Sequence, residues 1–347
     1  MYLHALATAL PPAAFTQAEC WQMYERSAAR PLLSRRSGLV LQAILRHDSG
    51  VETRHFALPD IERVLSATPD KLNEAFRVEA PRLASQALSA ALAQSGLTTG
   101  QVDALLICTC TGYLCPGVSS YVSEQLGLRP NVFLQDLVGL GCGAAIPTLR
   151  AADAILAAQP TAVVACVAVE ICSAAFYVDD DLGVLVSACL FGDGAAATIW
   201  RSTPGPRNLR LHGFTTLHQP ANRDFIRFEL RQGKLRNLLH PSVPALAAAA
   251  VERLLIDERV RPGARPITRL IAHAGGRDVL DAIERTSTGY DLSASRQILR
   301  ECGNMSSPSV LFALERALSD GAPDGAGDWW LTSFGAGFSA HGCRVGL

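Results

Sequence analysis

The sequence predicts an α/β protein in which one strand-and-helix unit is used twice. Near-continuous apolar runs such as Asp103 to Cys110 and Ala162 to Val169 mark strands buried on both faces, and helical stretches separate them. The two halves also match locally. Gly141-Cys142 opens a helical stretch containing Pro147, Leu149 and Arg150, and Gly303-Asn304 opens another containing Pro308, Leu311 and Arg316. A unit used twice would set both helix starts near a pseudo-twofold axis.

Tyr2 to Leu10 reads as the first strand. Residues 15–90 carry helical spacing, including Pro81 to Ser95, where Leu83, Ala84, Leu88 and Leu92 share a face. Asp103 to Cys110 is the next strand, followed by a helix over Val118 to Leu126 and a short strand over Val132 to Gln135. The small-residue run Cys142 to Ala158 is helical. Ala162 to Val169 is a buried strand, and Cys189 to Trp200 holds a Gly-Asp-Gly turn, then a strand. Ser202-Thr203-Pro204-Gly205-Pro206 is rich in turn residues and divides the chain into halves 1–205 and 206–347. The second half reads as a strand over Arg269 to His273, helices over Asp278 to Arg285 and Met305 to Leu318, and strands over Trp329 to Ser333 and His341 to Leu347. Residues 321–327 form a surface loop.

With 49% hydrophobic and 18% charged residues, the chain of 347 residues can bury a large core. A net charge of −1 gives no electrostatic case for nucleic acid or an anionic membrane surface. The ten cysteines lie partly inside apolar strands, as Cys108, Cys110, Cys166 and Cys189 do. That placement, with no basic segment before Pro11-Pro12, predicts free thiols in a reducing cytoplasm. Cys108 and Cys110 have no matching His/Cys pair, so no metal site is expected. No membrane insertion is expected either.

Three residues carry chemistry. Cys142 follows two glycines at a helix start, where unpaired N–H groups and the helix dipole lower a thiol's pKa. His273 closes a strand and can hold the thiolate as an ion pair. Asn304 offers a neutral amide N–H suited to an oxyanion. Taken singly, each has a plainer reading: a packed cysteine, a structural histidine, an asparagine capping its helix. Together, in matching topological positions, they form a site in which a thiol holds an acyl group while His and Asn bind a thioester oxygen.

The chain resembles the type III polyketide synthases, the chalcone and stilbene synthase-like enzymes of the thiolase superfamily. The resemblance rests on Gly141-Cys142, Leu190-Phe191-Gly192-Asp193-Gly194-Ala195-Ala196-Ala197, Ile271-Ala272-His273-Ala274-Gly275-Gly276, Gly303-Asn304-Met305-Ser306-Ser307 and Ser333-Phe334-Gly335-Ala336-Gly337-Phe338. It implies a thiolase-like fold of duplicated α-β-α-β-α halves, the first carrying the nucleophilic Cys142, the second His273 and Asn304. It implies decarboxylative Claisen condensation of malonyl-CoA onto a CoA-bound starter, with no cofactor beyond the CoA thioesters, in a homodimer whose Tyr113 to Pro116 segment lies near the partner's site.

By the same resemblance Phe191 is the gatekeeper between CoA tunnel and cavity, and the second gatekeeper position falls near Asn237. Arg46 and Arg54 contact CoA phosphates. Cys110, Thr111, Cys115, Cys172, Ala175, Phe191 and Ser306 line the cavity. Small lining residues at 172 and 175 favour an aliphatic starter and an alkylpyrone or resorcinol-type phenolic product; a ring built from malonyl units alone is the other possibility. The Gly-Ala-Gly form of residues 335–337 departs from the family's Gly-Pro-Gly and is closer to ketoacyl-ACP synthase III. A single-round condensing enzyme is thus one alternative. A catalytically silent binding protein on the same fold is another. A thioester hydrolase would need a Gly-x-Ser-x-Gly elbow, which is not evident.

Overall fold

A computed structural model describes residues 1–321 and 327–346. The first half runs β1 (Tyr2–Ala9), β2 (Ala14–Thr16), α1 (Gln17–Arg26), α2 (Arg35–Arg46), β3 (Thr53–His55), α3 (Ile61–Val64), α4 (Pro69–Ser95), β4 (Ala104–Cys108), α5 (Val118–Leu126), β5 (Phe133–Leu137), α6 (Ala145–Ala158), β6 (Val164–Glu170), α7 (Leu182–Leu190) and β7 (Gly194–Arg201). The second runs β8 (Arg210–His218), β9 (Ile226–Arg231), β10 (Lys234–Leu239), α8 (Val243–Arg259), β11 (Ile267–Ala272), α9 (Arg277–Thr286), α10 (Ser293–Cys302), α11 (Ser309–Ser319), β12 (Asp328–Gly335) and β13 (Ser339–Gly346).

The main sheet has the order β11-β12-β13-β8-β1-β7-β6-β4-β5. The duplication is visible in it. β4 pairs β6 in parallel, β6 pairs β7 and β7 pairs β1 antiparallel. In the second half β11 pairs β12 in parallel, β12 pairs β13 and β13 pairs β8 antiparallel. The two strand sets meet through the single pair Tyr2 with Arg210.

Side-chain alternation explains the unbroken apolar strands. Leu106, Cys108, Val164, Cys166 and Ala168 face the core built on α6 and α11, while Leu105, Ile107, Val163, Ala165 and Val167 face α4. α6 and α11 each touch strands of both halves, α4 covers the first half's outer face, and α8 the second's. The result is the five-layer α-β-α-β-α stack expected of a thiolase-like fold.

Several boundaries differ from the sequence reading. The helix expected from Pro81 starts at Pro69, capped by Thr68, and carries Pro81 inside it. Proline fits the first turn at 69 at no cost, and at 81 it removes one ladder hydrogen bond that packing offsets. The helix expected from Met305 begins at Ser309, because Gly303 (φ 70°) and Ser306 (φ 59°) take left-handed conformations that a helix does not admit. The β9–β10 hairpin and α8 fall where no element was read. Of the loop read at 321–327, residues 322–326 lie outside the described residues, as does Leu347. No helix among the described residues is long and apolar enough to cross a membrane.

Candidate active site

The turn between β5 and α6 presents Cys142. Gly139 (φ 90°) and Gly141 (φ 57°) take conformations closed to most residues, and a tight 3-10 turn over Gly141–Gly143 then feeds α6. The end of β12 lies directly against this turn. A Cβ on Gly335 would stand 2.5 Å from the Leu140 carbonyl oxygen and 2.6 Å from Gly143 N. Ser333 Oγ donates to the Gly143 carbonyl at 3.1 Å. The second half thereby fixes the Cys142 turn of the first. Gly335→Ala is expected to cost about 1–3 kcal/mol by overpacking against backbone that cannot turn aside. Displacing Cys142 should also slow condensation about a hundredfold. Thermal unfolding and a condensation assay on one preparation check both.

His273 follows β11. Its backbone N–H donates to Thr332 O at 2.9 Å, and its ring meets Phe334 edge-on with centroids 5.3 Å apart. Nδ1 is buried without a hydrogen-bond partner. Asn304 is gripped on both sides of its backbone: its N–H donates to Leu190 O at 2.9 Å and its carbonyl accepts from Gly192 N at 3.0 Å. Its side-chain orientation is also set. Oδ1 accepts from Ser306 N at 2.8 Å, so Nδ2 faces the other way and donates to Gly275 O at 3.0 Å. An amide nitrogen carries two hydrogens, which leaves one free for an oxyanion.

Cys142, His273, Asn304, Phe191 and Phe334 line one cavity of about 410 Å³. Burial governs its electrostatics. It pushes the Cys142 thiol up to about 12, partly opposed by the Ser306 hydroxyl, and His273 down to about 3. Burial thus opposes the thiolate–imidazolium pair expected from the sequence and favours the neutral form of both groups. The helix start favours the thiolate, but desolvation outweighs it.

The other expected residues divide. Thr111, Cys172 and Ala175 line an inner pocket of about 30 Å³, and Phe191 and Asn237 line both it and the larger cavity. Cys110 and Ser306 sit under the thiol, with Sγ and Oγ 3.1 Å apart, and support Cys142 rather than line either cavity. Cys115 is exposed on the loop after β4 and lines neither cavity of its own chain. Arg46 is exposed at the end of α2, whose Ala43 and Ile44 border the larger cavity.

Arg54 corrects the sequence reading. It is 1% exposed, and its guanidinium donates to Gln17 Oε1 and to the carbonyls of Ala188 and Phe191. Three of its five N–H groups are engaged there, and its burial sets it inside the protein rather than at a surface that a coenzyme phosphate could reach.

Sequence reading also missed Glu170. This buried carboxylate accepts from Thr109 Oγ, Cys110 N, Thr111 N, Thr111 Oγ and Ser307 Oγ, pinning the loop after β4 to the Asn304 segment. Burial raises its pKa and these donors oppose the rise. The available signal was a lone charge ending the apolar run Val164 to Val169.

Comparison with known proteins follows the same lines. Residues 2–204 match the family model for the N-terminal domain of chalcone and stilbene synthases, and residues 212–344 match that for the C-terminal domain. A 3,5-dihydroxyphenylacetyl-CoA synthase of Streptomyces toyocaensis is 31% identical over 295 residues, 79% of this chain and 74% of that protein. A 1,3,6,8-tetrahydroxynaphthalene synthase of Streptomyces peucetius subsp. caesius is 30% identical over 355 residues, 97% of this chain and 90% of that protein. Among solved structures, the tetrahydroxynaphthalene synthase of Streptomyces coelicolor A3(2), described as a bacterial type III polyketide synthase, superposes with a TM-score of 0.88 at 26% identity, covering 100% of this chain and 99% of that one. A polyketide synthase of the brown alga Ectocarpus siliculosus shares the fold, with a TM-score of 0.87 at 23% identity, covering 100% of this chain and 98% of that one.

Proposed function

The chain belongs to the chalcone and stilbene synthase family, and on that premise we propose that this type III polyketide synthase builds a phenolic product from malonyl units on Cys142, starting from malonyl-CoA or a similarly short CoA thioester. In this reading Cys142 attacks the starter thioester, its proton passes to His273 and from there to the departing sulfur, and CoA leaves as the thiol. Malonyl-CoA then binds with its thioester oxygen toward His273 and the free Asn304 N–H. Carbon dioxide departs, and the bonding electrons it leaves form an enolate stabilised by those two donors. The enolate carbon attacks the Cys142 thioester, a carbon–carbon bond forms, and the thiolate is released for the next round.

The observation that carries the choice of starter is the inner pocket. At about 30 Å³ it has room for one or two waters. The small residues at 172 and 175 that suggested an aliphatic starter do line it, but Phe176, Tyr177, Phe228 and Leu235 close around the same space. The relatives' names point the same way, since both describe phenolic products.

Arg46, exposed beside the cavity, remains the candidate for coenzyme phosphates. Homodimerisation is part of the same proposal: Tyr113 is 77% exposed and, with Cys115, offers a surface for a second copy.

The test is incubation of the pure protein with malonyl-CoA alone and with starters from acetyl- to palmitoyl-CoA, read by mass spectrometry. A phenolic product from malonyl-CoA alone is expected, with kcat/KM that does not climb with starter length. A strict need for a long-chain starter, with each methylene adding about 0.8 kcal/mol of preference, would restore the alkyl reading.

A further inference from the structure

Asn237 stands where the two cavities meet, and its side-chain carbonyl oxygen has no hydrogen-bond partner. It lies on β10 opposite Phe228 of β9. The hairpin comes close to α7 because residue 183 is glycine: a Cβ there would stand 2.4 Å from the Asn237 carbonyl oxygen. Asn237 is 5% exposed.

Its amide is held in one orientation. Nδ2 donates to Ser187 Oγ at 2.7 Å, and Ser187 Oγ donates to the Gly183 carbonyl at 2.7 Å. A hydroxyl has one proton. With that proton committed to Gly183, Ser187 can only accept from Asn237, and the amide does not turn over. Oδ1 is thereby fixed as an acceptor, buried and without a partner. Buried polar atoms of this kind call for an explanation in terms of what they bind. Around it Phe191, Phe228, Leu235 and Leu239 are apolar.

We propose that Asn237 Oδ1 accepts a hydrogen bond from an enol hydroxyl of the growing poly-β-keto chain, and so sets how far the chain extends before it is released or cyclised. This rests on the proposed polyketide chemistry at Cys142. A β-keto chain offers carbonyl oxygens, which an acceptor does not bind. Its enol tautomer offers an O–H, which one does. The contact therefore selects a planar, enolised segment at the passage and keeps it extended toward the inner pocket. The competing donor to be tested is an amide N–H of the coenzyme's pantetheine arm.

Asn237→Leu keeps the volume and removes the acceptor. Two readouts separate the donors. Malonyl-CoA decarboxylation needs the coenzyme arm and no chain, whereas the ratio of full-length to truncated polyketide needs the chain. The expected result is a product ratio lowered roughly tenfold, the worth of one hydrogen bond, and a change in the KM for decarboxylation much smaller than that. Ser187→Ala frees the amide to turn over and should move the ratio the same way by less. An unchanged ratio in folded Asn237→Leu overturns the proposal. So does a raised KM with an unchanged ratio, which assigns Oδ1 to the pantetheine amide. If Asn237→Leu does not fold, an unchanged ratio in Ser187→Ala overturns it. A wild type that needs a long starter would instead count against the malonyl-derived reading, and the ratio would then be measured with that starter.

Discussion

Cys142→Ala is expected to make no polyketide while still decarboxylating malonyl-CoA at a reduced rate. Among the described residues, Cys142 is the thiol that shares its cavity with His273 and Asn304, so without it neither loading nor condensation should proceed. The donors that stabilise the enolate are elsewhere. His273 is seated by Thr332 and Phe334, and Asn304 by Leu190, Gly192 and Ser306, none of which depends on the sulfur. Carbon dioxide release from labelled malonyl-CoA, with mass spectrometry of protein and products, reads both halves of the expectation. Polyketide formation by the variant would remove Cys142 from its role.

His273→Ala and Asn304→Ala are expected to show the converse: decarboxylation falls by about 10²–10³ in each, the usual loss for one oxyanion donor. The Asn304 variant should be the cleaner, since only its side-chain contacts with Ser306 N and Gly275 O are lost. For His273 the pH dependence adds a sign. Burial holds it down to about 3, against an ordinary imidazole value of 6.5. The folded site stays neutral over that interval while the unfolded chain takes up a proton. The unfolded state thus binds more protons there, so stability contributed by neutral His273 is present above about pH 6.5 and is lost as pH falls toward 3. Decarboxylation should show no inflection from His273 near neutrality. Replacing it should flatten the acid limb of the unfolding curve. An inflection near 6.5 that vanishes in His273→Ala would mean the imidazole titrates normally.

The meeting of Cys142, His273 and Asn304 in one cavity was legible because its signals are local. Glycines on either side of Cys142 and before Asn304 report turns that need them, and His273 ends a recognisably buried strand. The strands themselves were legible for the same reason: both faces are covered, so the apolar run is unbroken. What was not legible depends on contacts distant in sequence. Arg54 reads as a surface cation until Gln17 and the carbonyls of Ala188 and Phe191 surround it. Cys110 and Ser306 read as cavity walls, yet they pack under the thiol. The inner pocket looked wide because residues 172 and 175 are small, but its width is decided by Phe228 and Leu235 on a hairpin that carried no readable signal. The vacant oxygen of Asn237 exists only because Ser187 and Gly183 lie across from it.

The repeated topology has a consequence for chimeras. Cys142 and Asn304 precede corresponding helices in two copies of one unit, so equivalent positions carry the thiol in one copy and the amide in the other. Exchange of the second half with a relative's, cut in the 202–209 loop between β7 and β8, would carry over the decarboxylation machinery and the β9–β10 hairpin together. Acyl attachment would stay with the recipient. Offspring of such a cross should inherit their product spectrum chiefly from the second-half parent, and wherever residue 335 of the donor is not glycine they should lose rate and stability as Gly335→Ala does.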